Sequence, residues 1–317
     1  MGVLYLLSEG SSARKDGPRI VIEKDKKLIG RMAMRSIDGV VISKNAHVST
    51  HVIFGLIENK VPIIYIDDYD RIVGHIQNTN QSVNRLMRQI NIFQDKAIEL
   101  SKEIVAEKIN NQYNLLKQYA KSRKVEDINT AAQKLKKISD KLNKAADVPE
   151  ILGIEGMASK CYFNTFPFIL DQATWNWKGR SQHPGKDPIN ALLNYGYAFL
   201  EREVRIAILL SGMDARIGFY HSNDGRKDSL VFDLMELFRQ PIIDRFILTL
   251  ANVKSFQPKD FEITKEDCRL NDEARFSWYS RYEEYITKPY KEYNNKNSRE
   301  MIIDRVRKFS TYIDNKK

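Results

Sequence analysis

Cysteine is nearly missing from this chain: Cys161 and Cys268 are its only two, far apart in sequence. With no CxxC pair, a disulfide framework and a thiolate zinc site are both excluded, and a reducing cytoplasm is the expected compartment. Long apolar runs are missing too, since none approaches the ~20 residues that a membrane span requires. The opening Met1-Gly2-Val3-Leu4-Tyr5-Leu6 lacks the basic region and apolar core of a secretory signal. Leu6 also stands where a myristoylation signal needs Ser or Thr. These absences describe a soluble cytoplasmic protein.

What the chain has is charge and a core. Of 317 residues 42% are hydrophobic, enough for two domains, and 51 Lys+Arg against 41 Asp+Glu give a net charge of +10. A basic balance suits a polyanionic partner, nucleic acid before membrane. Residues 84–148 hold 14 basic and 8 acidic side chains, a net +6. A solvated helix face and a DNA footprint explain that concentration equally well.

The pattern predicts an α+β chain. Val3–Leu7, Arg19–Glu23, Gly39–Ser43, Pro62–Ile66 and Arg71–Ile76 read as short strands, punctuated by Asp16-Gly17-Pro18, Asp38-Gly39 and Asp67-Asp68. Between them Val48, Val52, Ile53, Leu56 and Ile57 recur at helical spacing, so one helix is expected over 46–59. The small N-terminal β-rich domain, strands plus one helix, is therefore placed at 1–78, with a polar linker at 79–84. A larger all-α domain is expected over 85–317. Leu86 to Leu116 keep helical spacing without Pro or Gly, and Ile128 to Leu142 form a second helical stretch. A loop is expected around Trp175 to Pro188 and a last helix from about Ser298 to Tyr312.

Three patches in the helical half stand out. In Gly153-Ile154-Glu155-Gly156, preceded by Asp147 as helix cap and Pro149 in the first turn, an acid sits between two glycines inside a helix. Each glycine there costs up to ~1 kcal/mol against Ala, and close approach of another backbone is the usual reason. A helix crossing that carries a surface Glu is the plain alternative. The second patch is Gly218-Phe219-Tyr220-His221. The third, Asp228 to Pro241, predicts a helix capped by Asp228 or Ser229 and ended by Pro241, with Leu230, Val231, Leu234, Leu237 and Phe238 as its apolar stripe. Asp233 and Glu236, at i and i+3, share an edge of that helix. Carboxylates so near an apolar stripe resist desolvation unless a cation joins them. Glu155, His221, Asp233 and Glu236 together offer oxygens and one imidazole to Mg2+ or Mn2+. A structural histidine and a solvated helix edge are the readings that compete.

These patches, in order, resemble the CRISPR-associated endonuclease/integrase family of spacer acquisition, Cas-one. The resemblance rests on Gly153-Ile154-Glu155-Gly156, on Asp187-Pro188-Ile189-Asn190 leading into Leu193-Asn194-Tyr195-Gly196-Tyr197, and on the run from Gly218 to Arg239. It implies a β domain joined to an all-α catalytic domain, a homodimer, and two dimers bridged by a small Cas-two partner in a prokaryotic cytoplasm. It implies Glu155, His221 and Glu236 as metal ligands, with Asp233 as a catalytic residue beside them, and Mg2+ or Mn2+ as cofactor. The implied activity is metal-dependent: a prespacer 3′-hydroxyl attacks a phosphodiester at the edge of a CRISPR repeat, and branched DNA is a further substrate. Arg85, Arg88, Arg180, Lys186 and Arg226 are the expected DNA contacts. A non-catalytic basic DNA-binding scaffold and a standalone branched-DNA nuclease of the same fold are the alternatives.

Overall fold

Runs that are apolar at nearly every position form the central strands, because both of their faces are covered. In the computed structural model, which describes residues 2–67, 72–76, 83–181, 184–221 and 228–315 (the side chain at 292 apart), β1 (Gly2–Leu6), β5 (Ile37–Ser43) and β7 (Ile63–Ile66) pair in parallel. β8 (Ile72–Ile76) adds antiparallel to β7. Val40 and Ile42 join Leu6, Ile20, Val52 and Leu56 on one side of this sheet, and Val41, with Ile64 and Ile66, joins Ile206 on the other.

A second four-stranded sheet has the order β4-β3-β2-β6, built from β2 (Ser11–Asp16), β3 (Arg19–Lys24), β4 (Lys27–Ala33) and β6 (His47–Val48). Only β3 of these was visible in the sequence. β2 is mostly polar and β4 leaves Leu28 and Ile29 exposed, and both owe their strand geometry to pairing with β3 on either side. Asp25 and Lys26, both at positive φ, close the β3–β4 hairpin in two residues. Helix α1 is Thr50–Glu58, shorter than expected, because His47–Val48 pairs with Ser12 and Ala13 before Ser49 takes the N-cap position.

Eleven further helices follow within the described residues: α2 (Val83–Asp95), α3 (Ala97–Arg123), α4 (Glu126–Ser139), α5 (Val148–Phe163), α6 (Phe166–Ile169), α7 (Gln172–Trp175), α8 (Pro188–Leu210), α9 (Ser229–Met235), α10 (Arg245–Asn252), α11 (Asp272–Thr287) and α12 (Ser298–Asn315). A small hairpin, β9 (Phe261–Ile263) and β10 (Cys268–Leu270), precedes α11. Among the described residues no helix is long and apolar enough to cross a membrane. The expected linker at 79–84 falls mostly outside the described residues.

By contact the chain divides into two units: 1–91 with 202–215 and 303–317, and 92–201 with 216–302. In the first, Arg85 donates to Asp314 (2.9 Å), to Ser310 Oγ (2.6 Å) and to the Gly212 carbonyl (3.1 Å). Arg88 donates to the Asp314 carbonyl (2.9 Å). In the second, α3, α4 and α5 pack through Leu100, Ile104, Ile109 and Leu116, through Ile128, Ala132 and Leu135, and through Ile151, Ala158 and Tyr162.

The run from Ser229 departs most from expectation. It leaves α geometry at Met235, six residues before Pro241, yet coils on through a wide π-helical turn, Arg239–Asp244, into α10. Pro241 lacks an N–H and its ring crowds the carbonyl four residues back, so a regular α turn cannot form there.

Candidate active site

Asp147 starts the first site helix by accepting from the Glu150 N–H (2.9 Å), while Glu150 reaches back to the Ala146 N–H (2.7 Å). These two bonds fix the start of α5, which carries Glu155 in its second turn. A Cβ added at Gly153 or Gly156 would meet nothing within 4 Å. The close approach expected there is therefore not made by any described part of this chain, and both flanks of Glu155 are open.

Gly218 is the opposite case. A Cβ there would lie 2.5 Å from Asp233 Oδ2 and 2.8 Å from Ser229 Cβ. Only glycine lets the bent segment 218–221 press against the first turns of α9. The approach brings three successive backbone N–H groups onto one carboxylate. Asp233 Oδ2 accepts from Phe219 (2.7 Å) and Tyr220 (3.2 Å), and Oδ1 accepts from the His221 amide (2.8 Å) and lies 2.8 Å from His221 Nδ1. Asp233 is wholly buried and acceptor-only when ionised, so the proton between them belongs to Nδ1 and the Nε2 lone pair is left for a ligand.

Glu155 and Glu236 meet at a residue the sequence reading passed over. The Lys108 ammonium, on α3, pairs with Glu155 Oε1 and stands 2.5 Å from Glu236 Oε2. The outer oxygens are held separately: Tyr220 Oη donates to Glu155 Oε2 (3.0 Å) and Arg239 Nε to Glu236 Oε1 (2.8 Å). Glu236 Oε2 is buried against the Lys108 ammonium. Burial pushes the Glu236 carboxyl up, but Arg239 and Lys108 outweigh it and hold it at about 2. Burial likewise works against the Lys108 charge, and Glu236 and Glu155 overcome it, raising its pKa.

As the side chains stand, no group of three or more His, Cys, Asp or Glu among the described residues is arranged to hold a metal ion. The chemistry of the set still fits a hard dication. Two carboxylates share one cation, one of their oxygens is buried against it, and a histidine is held through Nδ1 by a buried carboxylate.

Behind Glu236 lies a buried polar pocket. Tyr197 and Tyr162 donate to Asp244 at 2.6 and 3.0 Å, and the guanidinium of Arg239 lies 4.5 Å from the centre of the Tyr197 ring. Arg180 donates to Asn190 (2.9 Å) and Asn194 (2.7 Å), and Asn190 accepts from the Ser181 N–H and donates to the Gly179 carbonyl. The Asp187-Pro188-Ile189-Asn190 motif thus ties the 179–181 loop to the start of α8. Of the expected DNA contacts, Lys186 is exposed, Arg85, Arg88 and Arg180 are engaged by the protein itself, and Arg226 lies outside the described residues.

Burial pushes the Asp244 carboxyl up to about 6, against its two tyrosine hydroxyls and Arg239. The folded protein therefore binds this proton more tightly than the unfolded chain, whose value is about 4. The stability so contributed is present below about pH 4 and lost as the pH rises through 6. Asp244→Asn cannot ionise, so its stability relative to wild type should rise by on the order of 3 kcal/mol between pH 4 and pH 7. Urea unfolding of both proteins at the two pH values reads this, and a constant difference would refute the assignment.

The "CRISPR associated protein Cas1" family model matches residues 4–284. A CRISPR-associated endonuclease Cas1 of Archaeoglobus fulgidus is 32% identical over 276 residues, covering 81% of this chain and 80% of the relative. A CRISPR-associated exonuclease Cas4/endonuclease Cas1 fusion of Leptospira interrogans is 31% identical over 86% of this chain, which spans 52% of the fusion. Among solved structures, a partial Cas6-RT-Cas1–Cas2 complex superposes with TM-score 0.83 at 21% identity, covering 99% of this chain and 96% of that one. A casposase bound to integration product superposes with TM-score 0.76 at 24% identity, covering 100% and 96%.

Proposed function

The chain belongs to the Cas1 family of CRISPR-associated proteins, and from that membership we propose that it is a divalent-metal-dependent DNA endonuclease and integrase. One observation carries the reading. Two carboxylates on separate segments converge on a single cation, near a histidine whose Nδ1 is pinned by a buried carboxylate.

Glu155, His221 and Glu236 would hold the ion, Mg2+ or Mn2+. Bound there, it would supply Lewis-acid stabilisation of the charge developing on a phosphodiester. Asp233 keeps the imidazole in the tautomer that leaves Nε2 unprotonated, and Tyr220 and Arg239 fix the outer oxygens of the two glutamates. In the proposed reaction the 3′-oxygen of a prespacer end bonds to phosphorus at the repeat edge as the repeat's own P–O3′ bond breaks. One phosphodiester replaces another, so no nucleotide is consumed.

The partner proposed is Cas2, bridging homodimers of this chain on duplex or branched DNA. The Cas1–Cas2 complex and the casposase with its integration product, both of the same fold, support that assembly and that chemistry. Lys186 and Arg226 are the proposed phosphate contacts.

The test is a supercoiled plasmid carrying a repeat array, incubated with a short duplex bearing free 3′-hydroxyls, with and without Cas2. Covalent joining of duplex to plasmid is expected in Mg2+ or Mn2+, and none with 3′-deoxy ends. No joining under any of these conditions would rule the function out.

A further inference from the structure

Lys108 occupies the place that a cation shared by Glu155 and Glu236 would take. Each glutamate has committed one oxygen to a protein donor, Glu155 Oε2 to Tyr220 and Glu236 Oε1 to Arg239. The other two, Glu155 Oε1 and Glu236 Oε2, are those on which Lys108 sits, Glu155 Oε1 also accepting a longer bond from Ser159 Oγ (3.3 Å). Its side chain is only 6% exposed, so the ammonium is enclosed with its partners rather than resting at the rim.

Charge points the same way. With His221 neutral, Glu155, Glu236 and Asp233 are offset by Lys108 and Arg239, leaving one net negative charge. Adding a dication while the ammonium stays would set like charges side by side in a poorly solvated place. Arg239 is anchored by its bond to Glu236 and its seat on Tyr197. Lys108 has only its ion pairs and a flexible four-carbon stem.

We propose that Lys108 is the counter-ion of the metal-free site, and that metal binding is an exchange in which the dication displaces its ammonium from between Glu155 and Glu236. The proposal rests on the metal-dependent reading above and assigns Lys108 a positioning role: it keeps the two carboxylates together until the metal arrives, and it weakens the metal's hold by competing for the same oxygens.

The exchange is tested by titrating the full chain with Mn2+ and following free Mn2+ by electron paramagnetic resonance. Lys108→Met should bind Mn2+ about tenfold more tightly than wild type, because no ion pair has to be broken. Equal or weaker binding would overturn the exchange while leaving the metal site standing. Binding by neither protein would remove the metal reading and the exchange with it. Should Lys108→Met fail to fold, Lys108→Gln is read by the same criteria. A second measurement needs no variant: acetylation of lysines in wild type, mapped by peptide mass spectrometry. Mg2+ should raise modification of Lys108 several-fold and leave the exposed Lys121 and Lys124 unchanged. Protection of Lys108 that persists at saturating Mg2+ would contradict displacement.

Discussion

Replacing Glu155 or His221 by alanine should lower strand transfer by on the order of 10³-fold or more, with duplex affinity close to that of wild type. Glu155 contributes one of the two oxygens at the shared cation, and His221 contributes an imidazole. Neither side chain is part of the packed core: Glu155 is 18% and His221 33% exposed, so the fold should survive both changes. On the proposed function, duplex binding would rest on basic surface elsewhere and on phosphate charge, and should be insensitive to either loss. The pairing of results is what discriminates. Strand transfer by gel assay must collapse while mobility-shift affinity and melting temperature hold. Undiminished turnover by either variant would exclude its residue from the chemistry.

Asp233→Ala should behave in the opposite way, failing first in stability. The carboxylate is wholly buried and takes three backbone N–H groups and one imidazole nitrogen. Alanine leaves those donors facing each other without an acceptor, at a cost of roughly 3–5 kcal/mol. For a chain of this size that corresponds to a melting temperature lower by roughly 5–8 °C. Asparagine should be little better, because its amide group must turn N–H toward one pair of donors or the other. Thermal unfolding reads both variants. If Asp233→Asn melts with wild type, the four contacts do not hold the 218–221 segment as described.

Much of this was legible in the chain itself. The apolar strand runs, the α5 cap and the buried stripe of α9 follow from local pattern, and Glu155, His221, Asp233 and Glu236 stand out by motif. Lys108 escaped because basic residues are common in its region and none belongs to a motif. A signal existed nonetheless: Leu100, Ile104 and Leu115 bracket a face on which Lys108 and Gln112 fall at four-residue steps, a charge on a buried stripe. The strand β2 escaped because it is mostly polar, and β4 because Leu28, Ile29, Met32 and Ala33 do not alternate with polar residues. The association of 202–215 and 303–317 with the N-terminal strands is a long-range fact, and local periodicity is blind to it.

The wide turn at Arg239–Asp244 acts as a phase slip in a rod that otherwise coils without interruption from Ser229 to Asn252. Leading into it, Glu236 pairs with Arg239, its first residue, in an ionised cluster; Asp244, its last residue, sits among tyrosines in a dry interior that raises its pKa. One stretch of backbone thus faces two dielectrics within a couple of turns. Deleting a single residue from the bulge would restore even winding, and it would rotate one of those faces out of place.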